Sequence, residues 1–90
     1  MTHSTTRSIP VTIRYFAAAA AAAGVETETL DVAAGTTIEA LVARLAGRDA
    51  DLARVLKRCS YLCDEVAVRD LSRKLSTPQT LDVLPPFAGG

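Results

Sequence analysis

The sequence contains no tryptophan, two tyrosines, two phenylalanines and two cysteines in 90 residues. So few aromatic rings mean that any core must be built from Val, Leu, Ile and Ala. Cys59 and Cys63 are too few for the disulfide framework of a small secreted domain or for a four-thiolate iron-sulfur site. Four residues apart on a strand, they would share a face but stand roughly 13 Å from each other, beyond the reach of one disulfide. Two reduced thiols are therefore expected. Net charge is also missing, since ten Lys and Arg balance ten Asp and Glu. No long-range field draws such a chain onto a phosphate backbone or an acidic bilayer. Apolar runs stay far short of the roughly 20 residues of a membrane span, and residues 1–8 lack the apolar core of a signal peptide. The expectation is a cytoplasmic protein with neither nucleic acid nor membrane as partner. His3 is the only histidine. With it go the Ser/His/Asp set, the metal cluster and the phosphate-binding glycine loop, so no catalytic residues, no metal and no bound cofactor are expected.

What is present reads as one domain, because two would each fall near the size at which a hydrophobic core stops holding a fold together. Residues 1–8 are expected to be a disordered tail, 9–86 the domain and 87–90 a flexible C-terminal tail. Ile9, Val11, Ile13 and Tyr15 alternate with Pro10, Thr12 and Arg14, the period of a half-buried strand, which leaves Phe16 on the outer face. Seven alanines, 17–23, favour a short helix that Gly24 can stop. Residues 26–32 read as a second strand, hairpinned to the first. Thr36 with Glu39 predicts a capping box for the main helix, whose Ile38, Leu41, Val42 and Leu45 follow helical spacing. Gly47 should end it. Asp49 should cap a shorter helix carrying Leu52, Val55 and Leu56. Residues 60–63 and 66–68 read as short strands about Asp64 and Glu65, a turn that lacks the glycine a two-residue hairpin prefers. Leu71 and Leu75 should anchor the loop that follows. Residues 80–84 form the last strand, with Leu81 and Val83 inward and Asp82 and Leu84 outward. A helix laid across one face of a mixed sheet buries these stripes economically. The fold class expected is α+β, of the ubiquitin-like β-grasp kind.

The chain closes on Pro85 and Pro86, which remove two backbone donors and stop the sheet, so the residues beyond them must leave the body of the domain. Gly89 and Gly90 lack Cβ atoms and can thread a narrow channel to bring a terminal carboxylate to a partner's reactive atoms. A carboxylate is a poor electrophile. Activated as a mixed anhydride with AMP, it can be attacked by a sulfur nucleophile to leave a thiocarboxylate, and no side chain of this protein is needed for that chemistry.

The ending Val83-Leu84-Pro85-Pro86-Phe87-Ala88-Gly89-Gly90 resembles that of the MoaD/ThiS sulfur-carrier family, and within it the small subunits of molybdopterin synthase. The likeness runs from Val11 to Gly90 and includes Ile13-Arg14-Tyr15-Phe16-Ala17 and Gly35-Thr36-Thr37-Ile38. A terminal Gly-Gly alone is weak; joined to a double proline and an aromatic it is specific. The resemblance implies that Gly90 is adenylated at the expense of ATP by an E1-like (MoeB-like) adenylyltransferase. A persulfide enzyme then supplies the sulfur. It further implies that Phe87, Ala88 and Gly89 thread the active site of a large (MoaE-like) synthase subunit, where the thiocarboxylate builds the dithiolene of molybdopterin. Phe16, Val68, Leu84, Pro85 and Pro86 fall where the family places its docking surface. Two departures bear on partner choice: relatives often carry charges where this chain has alanines 17–23, and usually Asp-Gly-Asp near residues 76–80. Carriers for thiamine, cysteine or tRNA thiolation, and a ubiquitin-like module or tag without sulfur chemistry, remain the alternative readings.

Overall fold

The computed structural model describes residues 7–86. Strand β1 (Ser8–Tyr15) begins one residue inside the stretch read as a tail, and it alternates as its sequence requires, with Ile9, Val11, Ile13 and Tyr15 all buried. It pairs antiparallel with β2 (Thr27–Ala33) in a register running from Ser8 opposite Ala33 to Arg14 opposite Thr27. Between them the alanines form helix α1 (Ala18–Ala23), closed by Gly24 in the left-handed conformation at φ 81°, whose N–H donates to the Ala20 carbonyl. Only a residue without Cβ adopts that cap at no steric cost.

The main helix, α2 (Ile38–Ala46), buries Ile38, Leu41 and Leu45. Its cap departs from the expected capping box. Thr37, not Thr36, accepts the Ala40 N–H, at 3.0 Å. Thr36 and Thr37 form a two-residue strand, β3 (Thr36–Thr37), paired with a second, β6 (Lys74–Leu75). That small ribbon takes Thr36 into extended backbone, and its hydroxyl donates to the Ala33 carbonyl instead. Gly47 follows α2 in right-handed conformation, so its N–H closes on Ala43 without a left-handed turn. Asp49 caps α3 (Ala50–Leu56) by accepting from Asp51 and Leu52, as its position predicts.

Strands β4 (Ser60–Cys63) and β5 (Val66–Ala67) are joined by Asp64 and Glu65, both at positive φ. The twist of a hairpin demands that geometry, and here it is held without glycine. The Asp64 carboxylate accepts the Thr80 N–H at 2.9 Å and the Gln79 amide at 3.1 Å, while the Asp64 N–H donates to Thr80. Strand β7 (Gln79–Leu84) completes the sheet, parallel to β1 and antiparallel to β4, giving the order β2-β1-β7-β4-β5.

All three helices pack on one face of this sheet. Ile13, Leu81, Val83 and Cys63 from the strands meet Ile38, Leu41, Leu45 and Leu52 from the helices, with Leu75 closing one side. Each fully buried aliphatic side chain contributes about 1.5–3 kcal/mol, so these positions dominate stability. Leu71, expected as a second anchor, is 39% exposed. The first turn of α2 holds this segment through backbone bonds, from the Ile38 N–H to the Arg73 carbonyl and from the Glu39 N–H to the Leu71 carbonyl, which leaves the Leu71 side chain free to point outward.

Candidate functional site

The helices leave the other face of the sheet open, and sheet parity decides what it displays. Opposed residues on neighbouring strands point to the same side. Arg14 opposes Asp82 on β1 and β7, and Asp82 opposes Leu62 on β4, which in turn opposes Ala67 on β5. One row of the open face therefore reads Arg14, Asp82, Leu62, Ala67. Phe16 and Leu84, next along β1 and β7, lie on the same side, and the Phe16 N–H donates to the Val83 carbonyl at 3.2 Å. Phe16 is exposed, and Leu62 and Leu84 are half-buried.

At the centre of this surface the Arg14 guanidinium donates to both oxygens of Asp82, Nε at 2.7 Å and Nη2 at 2.9 Å. The same guanidinium lies 5.5 Å from the centroid of the Phe16 ring, within cation-π range. The hydrogen bond and charge of Asp82 push the Arg14 pKa further up, so the guanidinium keeps its charge. Asp82 was expected to face outward, and it does lie on the open side. It is only 4% exposed, however, because Arg14 and its neighbours on the sheet cover it.

Val68 must be removed from this surface. Its N–H bonds the Tyr61 carbonyl, so it opposes Tyr61 and shares Tyr61's core-facing side. It is half-buried and packs against the core. Leu62 and Ala67, which the sequence reading does not include, occupy the place expected for it. The signal was present in the inward alternation of Tyr61 and Cys63, which sends Leu62 outward. For Ala67 it depended on the register across the Asp64–Glu65 turn.

At the end of β7 the chain passes through Pro85, which is buried, and Pro86, which is exposed. Both line an open groove of about 460 Å³ with Ala18 of α1 and Arg54, Val55 and Arg58 on or just beyond α3. Pro85 therefore serves as a floor at the root of the tail, and Pro86 is its presented face. Phe87, Ala88, Gly89 and Gly90, the residues expected to thread a partner's active site, lie outside the described residues.

Neither thiol has the surroundings of a nucleophile. Burial pushes the pKa of both Cys59 and Cys63 up, away from the thiolate. The Cys59 Sγ donates to the Val55 carbonyl, and the Cys63 Sγ accepts from the Gln79 amide. No group of three or more His, Cys, Asp or Glu among the described residues could hold a metal ion. No helix among them is long and apolar enough to cross a membrane.

A mixed five-stranded sheet of this order, crossed on one face by a main helix and open on the other, defines an α+β protein of the ubiquitin-like β-grasp class. The chain belongs to the ThiS family, whose model matches residues 13–90. No curated protein sequence matches it. Among solved structures, SAMP1 from Haloferax volcanii is similar at 25% identity and a TM-score of 0.77, over 90% of this chain and 99% of that one. A putative molybdopterin converting factor, subunit 1, from Pyrococcus furiosus shares the fold at 19% identity and a TM-score of 0.79, over 89% of this chain and 100% of that one. So does a chain in the complex of subunits 1 and 2 of molybdopterin-converting factor from Helicobacter pylori, at 18% identity and a TM-score of 0.67, over 91% and 100%.

Proposed function

We propose that this protein is a sulfur carrier acting as the small subunit of molybdopterin synthase. Its Gly90 carboxylate attacks the α-phosphorus of ATP on an E1-like adenylyltransferase, releasing pyrophosphate. The outer sulfur of a persulfide enzyme then attacks the acyl carbon and AMP leaves. A thiol of the sulfur-supplying enzymes cleaves the S–S bond of the acyl disulfide so formed, becoming a disulfide itself and releasing the carrier's thiocarboxylate. The resulting thiocarboxylate enters a large synthase subunit, where its sulfur is transferred to the dithiolene of molybdopterin. Within this scheme the protein contributes no catalytic side chain. Phe87, Ala88 and Gly89 thread the partner's channel, and Phe16, Leu62, Leu84 and Pro86 meet the partner's surface.

The observation that carries this reading is the pairing of a family match reaching Gly90 with an open apolar face directly beside the root of the tail. One exposed and two half-buried apolar side chains, Phe16, Leu62 and Leu84, beside a tail of this composition fit an interface. The fold shared with subunit 1 of molybdopterin converting factor, in one case alongside subunit 2, supports molybdopterin over other sulfur acceptors. Likeness to SAMP1, a small archaeal modifier protein, favours one second reading, in which Gly90 is joined to a lysine of another protein.

Intact mass of the protein purified from its native cell separates the two. Sulfur in place of one terminal oxygen supports the carrier. A second protein on the terminus, with no sulfur-bearing form, supports the modifier.

A further inference from the structure

The groove between α1 and α3 is not absorbed by the open sheet face, and its composition specifies an occupant. Its walls are the methyl of Ala18, the Val55 side chain and the rings of Pro85 and Pro86. Its rim carries two guanidinium groups, Arg54 and Arg58, and no acidic side chain lines it among the described residues. Arg54 also donates to Asp51 on its own helix, but both side chains are more than 70% exposed, a contact that neutralises little. Spaced four apart across the end of α3, the two arginines stand on one side of it. The volume, about 460 Å³, suits a few side chains of a peptide segment. A free small anion would gain nothing from the apolar floor.

The groove and the open face flank the end of β7 from different sides. Phe16 lies on the open face and Ala18, two residues on, lines the groove. Leu84 lies on the open face and Pro85, the next residue, forms the groove floor. An enzyme that takes up residues 87–90 comes to the end of β7, which both surfaces flank.

We propose that the α1–α3 groove is a second contact site for the enzyme that adenylates Gly90, taking from it an apolar side chain flanked by carboxylates. The inference rests on the carrier reading given above. The adenylating enzyme then grips the tail root from both sides, apolar contacts on the sheet face fixing position and the arginine rim selecting an acidic segment. Charged guanidinium groups beside apolar walls reward that partner and penalise a basic one, which would leave its charge facing Arg54 and Arg58.

The test is ATP–pyrophosphate exchange by the E1-like adenylyltransferase of the same cell, with the full chain as substrate. Arg54→Ala/Arg58→Ala and, separately, Val55→Ala should each raise the KM for the chain, the double variant at least tenfold. Circular dichroism melts report whether each variant is folded. Hydrogen exchange on the wild-type complex should show added protection in α1 and α3. Unchanged KM for the folded double variant, with no protection of these helices, overturns the groove while leaving the carrier reading intact. No exchange with the wild-type chain sinks the carrier reading itself. Two other results would also overturn the proposal by identifying a different occupant. Carboxypeptidase release of residues 87–90 from the isolated chain that quickens in the double variant identifies the chain's own end. A sedimenting mass above that of one chain, lost in the variant, identifies a second copy.

Discussion

Arg14 and Asp82 oppose each other on the parallel strands β1 and β7, and one guanidinium grips both carboxylate oxygens while stacking on Phe16. The pair borders the apolar patch of Phe16, Leu62 and Leu84 on one side and polar residues including Thr27 and Thr80 on the other. A fixed bidentate clamp adds geometric specificity there that a flexible lysine could not.

Breaking that clamp from either side should have unequal effects. Arg14→Ala strips away part of the cover of Asp82 and leaves its carboxylate unpaired among the remaining sheet side chains, whereas Asp82→Asn keeps a neutral acceptor beneath the arginine. We expect Arg14→Ala to lower the melting temperature more than Asp82→Asn. The double variant Arg14→Met/Asp82→Leu should recover most of the loss. A melt in which Arg14→Ala matches wild type would show that solvent already screens the pair.

Ala17 occupies φ 52° and ψ −126°, a region that L-residues seldom adopt, where the chain turns from β1 into α1. Its position is fixed by bonds on both sides, since the Phe16 carbonyl accepts from Ala19 and the Ala17 carbonyl from Ala21. Strain of this kind costs about 1–3 kcal/mol, against about 0.5–1 kcal/mol of added chain entropy for glycine. Ala17→Gly should therefore stabilise the protein by about 1 kcal/mol, read as a higher urea midpoint at constant m-value. Ala17→Val should do the reverse.

Glu28 on β2 joins two elements, accepting from the Tyr15 hydroxyl at 2.6 Å and from Arg48 at 2.9 Å. Burial pushes its carboxyl pKa up, but the hydrogen bonds from Arg48 and Tyr15 and the nearby arginine charges outweigh burial, and the net shift is downward from 4.5. A carboxyl with a depressed folded pKa gives stability that is fully present above its unfolded value and is lost as pH falls through the folded one. Glu28→Gln should therefore lower the melting temperature at neutral pH, and the gap from wild type should close as pH drops below about 4. A gap that stays constant down to pH 2 would assign the loss to packing.

Face assignment gives a sharper test of the docking surface than any single residue. Leu84→Glu and Leu62→Glu place a charge on the open side and should weaken binding of the large subunit at least tenfold, about 1.4 kcal/mol, with small changes in melting. Val68→Glu forces a charge against the core and should lower the melting temperature itself. Calorimetry showing undiminished affinity for Leu62→Glu would take β4 out of the interface.

Deleting Gly90 should abolish sulfur transfer while unfolding stays cooperative, since the buried cluster among the described residues runs from Ile9 to Val83. A truncated chain that still supports molybdopterin formation in a reconstituted synthase would disprove the role given to its terminus.

Much of the architecture was legible because local chemistry and tertiary demand agreed. The alternation in β1, the helical spacing of Ile38, Leu41 and Leu45, and the Asp49 cap all appear where periodicity puts them. The misreadings share one cause, which is partners distant in sequence. Thr36 lost the helix cap because Leu75 pairs with it, and Asp82 is covered because Arg14 lies across the sheet. Val68 changed face because register across the turn at Asp64 and Glu65 is set by bonds from Gln79 and Thr80.

The sequence by itself determined the strand and helix periods and the stop at Pro85 and Pro86, since each depends on residues within a few positions of one another. Only the tertiary structure decided which side chains share the open face and that a basic-rimmed groove flanks the tail root. A strand shows its two faces in sequence, but which neighbour lies beside it, and in what register, depends on hydrogen bonds to segments up to 68 residues away.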